Sequence, residues 1–303
     1  MLDKTTERNK MTNNIEVPSL ASSAMLTELN ISVWTGRKKD KRESKTVANQ
    51  NYADNGVVSV NKMLLGDCDK LKAINELRGK IRNHIHYPMT MPWSDSGLRL
   101  LPTAVYFDYH QQMTNAIDAF QSLVDEFIDD YDFAVSRAQA KLGNLFVHDD
   151  YPTAEQIRSK FDVRVNYTPL PDAGDFRVDV GNEASVQLKA DYDKFYSDQL
   201  SNAMGDVWKR MHTALTNMSA KLTDSNGKKQ VFRDTLVSNA LSMVDLLSTC
   251  NVTGDSQMEA MRLKLDGALR GITPEGLRDD EFLRAETKDK VDDILKSLPS
   301  LDM

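Results

Sequence analysis

The chain is poor in cysteine, proline and aromatic residues, and it lacks any long apolar run. Two cysteines in 303 residues, Cys68 and Cys250, exclude a disulfide scaffold and a four-cysteine zinc module. No stretch approaches the roughly 18 consecutive apolar residues of a membrane-spanning helix, and the N-terminus carries no apolar signal core. Net basic charge is missing too: 38 Lys and Arg against 45 Asp and Glu leave a formal charge of −7. An acidic chain is not a general binder of phosphate backbones, although a local basic patch can still be one. Signatures of chemistry are also absent. There is no G-x-x-x-x-G-K-[ST], G-x-G-x-x-G, G-x-S-x-G, H-E-x-x-H or C-x-x-C. The expectation is therefore a non-enzyme, with no cofactor and no metal.

What is present is helical periodicity. Met113, Ile117, Phe120, Val124, Phe127, Tyr131, Ala134 and Ala138 step alternately by four and three. That predicts one helix over 103–142 with a coiled-coil seam, Thr103 as its cap and Gly143 as its end. Met204, Trp208, Met211, Leu215, Met218 and Leu222 repeat the pattern in a second helix over 183–222. Each would span about 60 Å, more than the roughly 50 Å diameter of a compact globule of this size. The expected fold is mainly α: an elongated helical bundle or antiparallel coiled coil. The apolar steps from Val57 to Ile81 predict a helix over 57–83 that stops before Pro88 and Pro92. Further helices are expected at 230–249, 256–271 and 275–298, the last starting at Thr273-Pro274.

Period two appears in three places. Leu29, Ile31 and Val33 alternate with polar neighbours, as do Phe161, Val163 and Val165, and then Phe176, Val178 and Val180. The last two runs flank Pro169-Leu-Pro-Asp-Ala-Gly-Asp175, which reads as a hairpin over 161–181. Strand 27–35 is its natural third partner, since two strands alone are marginal. Residues 1–24 read as a polar, disordered tail, and 25–303 as a single domain.

Two charged clusters are the candidate partner-binding residues. Asp125, Glu126, Asp129, Asp130 and Asp132 fall off the apolar stripe. They read foremost as a solvated face and secondarily as a docking surface for a basic partner. Arg37, Lys38 and Lys39 open a run of six basic and two acidic residues over 37–45. It reads as an exposed connection or helix start, with phosphate contact the lesser alternative. His84 and His86 form an H-x-H pair better explained by packing than by metal. The heptad methionines read as core, and an unpaired heptad face also permits a homo-oligomer.

Three segments carry a resemblance: Leu29-Asn-Ile-Ser-Val-Trp-Thr-Gly-Arg-Lys-Lys39, Met91-Pro-Trp-Ser-Asp-Ser-Gly-Leu-Arg-Leu-Leu-Pro102, and Phe161-Asp-Val with Pro169-Leu-Pro-Asp-Ala-Gly174. Together they resemble a family of tailed-phage and prophage proteins catalogued as a domain of unknown function. The resemblance implies a protein acting in the cytoplasm of an infected bacterium, with the virion as a second location. Members are often encoded near a MoxR-type AAA+ ATPase and a von Willebrand A-domain protein. That implies an accessory partner of such an ATPase, with a virion assembly role and a nucleic-acid role as alternatives. The family carries no established catalytic residues, so none is transferred.

Overall fold

A computed structural model describes residues 20–54, 56–170, 182–223 and 230–299. It is mainly helical with a small antiparallel sheet. Two compact units are present. One comprises Leu26–Thr168 with Ser197–Lys209, and the remaining described residues form the other.

A short helix, α1 (Leu20–Ser23), leads into β1 (Ala24–Ser32), most of which belongs to the first unit and which ends three residues earlier than the alternation of Leu29, Ile31 and Val33 predicts. The chain turns at Trp34-Thr35-Gly36 into β2 (Arg37–Asp40) and then α2 (Lys41–Gln50). Asp40 starts α2 by accepting from the amides of Arg42 and Glu43.

The helix expected over 57–83 is corrected. Val57 is exposed, and Val60–Met63 is a strand, β3, paired antiparallel with β2. Tertiary pairing overrides a helical spacing that Val57 and Val60 matched only by coincidence. Helix α3 begins at Asp69 and runs to Lys80. Its winding does not stop before Pro88. It widens into a π-helical turn over Ile81–His86, then tightens into α4 (Tyr87–Met89). Pro88 is tolerated because it sits in the first turn of α4, where no internal N–H bond is required of it.

The loop over 91–102 supplies two strands that the sequence does not announce, β4 (Met91–Pro92) and β5 (Arg99–Pro102). Gly97, at φ +98°, makes the turn between them. Trp93, Leu100 and Leu101 bury themselves in the core. The single helix predicted over 103–142 is three elements: a 3₁₀ turn at Thr103–Val105, α5 (Tyr106–Asp129) and α6 (Tyr131–Leu142). Asp130 is the break, and Thr103 does not cap α5, which starts at Tyr106 with Val105 before it and no side-chain cap. The seam itself is real. Met113, Phe120, Val124, Phe127, Tyr131, Ala134 and Ala138 are buried, and Gly143 ends α6 at φ +51°.

Helix α7 (Ala154–Arg158) starts with a capping box of Thr153 and Gln156. Strand β6 (Asp162–Pro169) follows, and the sheet order is β4-β5-β1-β6. The pairing expected between the 161 strand and the 27 strand is thus present. The returning strand of the hairpin lies outside the described residues, as does most of the tail expected over 1–24.

Helix α8 (Asn182–Leu222) is continuous over 41 residues, about 60 Å. In the second unit its Met211, Leu215, Met218 and Leu222 are buried. The unit continues with α9 (Thr235–Cys250), α10 (Ser256–Leu269), α11 (Pro274–Asp279) and α12 (Glu281–Ser297). Thr273 caps α11 as its sequence signal predicts, by accepting from the Gly276 amide at 3.1 Å. Helix α10 packs against α9 and α12. Among the described residues no helix is long and apolar enough to cross a membrane.

Candidate functional site

The site is built at the Trp34–Lys39 corner of the first unit. Trp34 is buried against Phe127 and Tyr131, with ring centroids at 6.3 and 6.0 Å. That anchors the corner to α5 and α6. Gly36 then turns the chain at φ +61°, a left-handed conformation open to glycine, and its carbonyl accepts from the Leu64 amide at 2.7 Å. The β2–β3 ribbon begins there.

The ribbon places Lys38 directly opposite Lys62. Like charges at such a position repel. Asp150 resolves the conflict by taking both: its carboxylate lies 2.7 Å from Lys38 and 2.5 Å from Lys62. Lys62, itself buried, also donates to the Leu145 carbonyl at 2.9 Å and lies 3.6 Å from Asp40. Burial pushes the Asp150 carboxyl up, but the bonds and charges of Lys38 and Lys62 outweigh it and hold the group below its ordinary range. Tyr151 adds a hydrogen bond to the Leu64 carbonyl at 2.6 Å. The ribbon is therefore held to the 145–151 segment and is not a loose basic arm.

Side chains alternate along a strand. Lys38 and Asp40 turn to that buried cluster, and Arg37 lines a cleft of about 430 Å³ on the side of α3. Lys72 and Arg78 of α3 line it as well, with Met63, Leu71 and Cys68 supplying apolar wall. One carboxylate, Asp67, also lines it. Arg37, Lys72 and Arg78 have no ion-pair partner among the described residues. Cys68 precedes α3 without making a side-chain cap bond. A space of this volume is in the range of ligand-binding clefts. Its chemistry is cation on aliphatic surface.

The other predicted residues are spread more widely. Asp125 is bonded to Arg158 at 2.5 Å and to Gln121, and these bonds hold its carboxyl low. Asp130 lies 3.0 Å from Arg137 and 4.0 Å from Lys70, whose ammonium donates to the Glu126 carbonyl. Glu126 and Asp129 have no ion-pair partner among the described residues. The acidic face is thus partly neutralised from within. His84 is exposed and His86 buried, so the H-x-H pair is split between two environments. His86 is hydrogen-bonded to the Tyr109 hydroxyl at 2.8 Å, and burial together with Arg99 and Arg82 lowers it to about 4. Among the described residues no three metal-ligating side chains gather.

Sequence reasoning misses Lys72, Arg78 and Met63 because the assumed helix over 57–83 hides the turn before α3. The partnership of Lys62 with Asp150 spans 88 positions and leaves no local trace. One signal was legible: Asp40 with Glu43 three residues on is a helix-start pattern.

No protein-family model, no curated protein and no solved structure matches the chain.

Proposed function

We propose that the chain is a non-enzymatic phage accessory protein that works through protein–protein contacts as an adaptor of a MoxR-type AAA+ ATPase. The observation that carries this reading is the setting of Arg37. It belongs to the most distinctive segment of the family resemblance, and it stands on a rigidly held corner, unpaired among the described residues, beside an open cleft. A corner built for geometry alone needs Trp34 and Gly36; it does not need a free guanidinium. Nucleic-acid contact gains less support, because Lys38 is committed to Asp150 and the basic run is divided between β2 and α2.

The test is direct binding between the purified chain and a purified MoxR-type AAA+ ATPase and von Willebrand A-domain protein from the same genome, by calorimetry, with the ATPase rate measured in parallel. A stoichiometric complex and a changed rate are expected. No binding to either protein overturns the reading. Counting copies in purified particles by mass spectrometry addresses the virion alternative: many copies favour an assembly role.

A further inference from the structure

We propose that the cleft of Arg37, Lys72 and Arg78 receives an acidic, leucine-bearing peptide segment of the partner protein. The proposal rests on the adaptor reading and names the chemistry of its contact.

Charge comes first. The chain as a whole carries −7, so its mean field repels anions. Against that field three cations line one cleft with a single carboxylate, Asp67. Two of the three are arginines, whose forked donors match carboxylate geometry. Both stand on regular elements, Arg37 on β2 and Arg78 on α3.

Spacing comes next. Lys72 and Arg78 are six residues apart on α3, about 9 Å along its axis. An extended peptide advances about 7 Å in two residues and about 10 Å in three. Side chains two positions apart share one face of an extended peptide, so acids at that spacing reach Lys72 and Arg78 from one face, and Arg37 meets them from the ribbon.

The wall selects among anions. Met63 is half exposed, Leu71 is largely buried and both line the cleft, so aliphatic surface lies among the charges. Inorganic phosphate has no use for that surface. A single-stranded nucleic acid gains from rings on which its bases stack, and no aromatic residue lines the cleft. An aliphatic side chain on the same face as two carboxylates, two positions further on, uses both features.

Two other cavities have charges already engaged. In the space of about 160 Å³ beside Arg82 and Arg99, Arg99 is already bonded to Thr90 and stacked on Tyr87. In the space of about 350 Å³ between α10 and α12, Lys290 is paired with Glu286 and Asp293 with Lys296, both within α12.

The experiment titrates the intact protein into a fluorescein-labelled peptide of sequence Gly-Glu-Leu-Asp-Glu-Leu-Glu-Gly and reads anisotropy. The controls are the same peptide with Gln and Asn for its acids, inorganic phosphate as competitor, and a labelled oligo-dT. Saturable binding of the acidic peptide is expected, weakening as salt rises, with the amide peptide at least about tenfold weaker. Arg37→Glu and Lys72→Glu, both at exposed positions, are each expected to weaken it about tenfold or more. Lys160→Glu makes the same charge change on an exposed site outside the cleft and is expected to change nothing. Arg78→Gln provides a milder third variant. Bound peptide should also slow alkylation of Cys68, which lines the cleft, and the amide peptide should not.

Equal binding of the acidic and amide peptides, full displacement by phosphate, binding of oligo-dT alone, or wild-type affinity in Arg37→Glu and Lys72→Glu each overturns the proposal. The two readings fail separately. If the ATPase binds the cleft variants as well as the native chain, the cleft proposal falls and the adaptor stands. If the acidic peptide binds but the ATPase does not, the adaptor falls and the cleft stands.

Discussion

A Cβ added to Gly36 would stand 2.9 Å from Cδ2 of Leu71, closer than side chains approach one another. The glycine also sits at φ +61°, which L side chains rarely adopt. Two penalties therefore fall on one substitution. Gly36→Ala should cost about 2 kcal/mol in urea unfolding, from left-handed strain and crowding. Because Leu71 is the crowding partner, Leu71→Ala should be less harmful in the Gly36→Ala background than alone. A double-mutant cycle measures this, and strict additivity would refute the contact.

The Lys38–Asp150–Lys62 cluster makes an unequal prediction. Lys62→Met leaves Asp150 still paired with Lys38. Asp150→Asn leaves two lysines facing each other across the ribbon, one of them buried. Asp150→Asn should thus be the more damaging, by roughly 3 kcal/mol relative to the native protein. Adding Lys38→Met to Asp150→Asn should restore part of that loss by removing one of the opposed charges. Thermal unfolding of the three variants checks the order.

How much of this was legible in the sequence depends on the range of the interaction. The seam through Met211, Leu215, Met218 and Leu222 is local and regular, and α8 follows it for 41 residues. The strand beginning near Phe161 follows its alternation into β6. The apolar steps through Val57 and Val60 fit a helix equally well, but β3 forms because β2 is available to pair with it. The break at Asp130 has no proline or glycine to announce it. Arg37 could be singled out as charged, yet its role depends on Lys72 and Arg78, which only the turn before α3 brings alongside. Asp150 carries no signal of its own in the sequence, and its meaning comes from Lys62.

His86 should make stability depend on pH. Its value in the fold is about 4 against 6.5 in the open chain, because burial, Arg99 and Arg82 all oppose its charge. Above pH 6.5 the imidazole is neutral in both states and contributes no slope. As pH falls from 6.5 toward 4 the unfolded chain takes the proton first, and stability drops by about 3 kcal/mol in total. His86→Asn should be less stable at pH 7, having lost the fit to Tyr109, but should show a flatter profile between pH 4 and 6.5. A parallel profile in the variant would assign the slope to other groups.

Arg284 ties the end of α8 to α12 within the second unit. It is buried, and its guanidinium donates to the carbonyls of Leu222, Lys221 and Gln230 at 3.2, 2.9 and 3.4 Å. The last carbonyls of a helix lack internal donors and carry its negative dipole end, so a cation there is favoured twice. Phe232 lies beneath both Arg284 and Arg278, with distances of 5.5 and 5.2 Å to its centroid. Arg284→Met keeps the bulk but strips donors from two or three carbonyls, which should cost about 2–4 kcal/mol. Arg284→Lys keeps the charge but cannot span three acceptors with a point-like ammonium, so it should recover only part of the loss. Hydrogen exchange separates a capping role from general loosening. In Arg284→Met the amides over 215–222 should exchange faster than those of α10, whereas uniform acceleration across the unit would mean that Arg284 acts as packing alone.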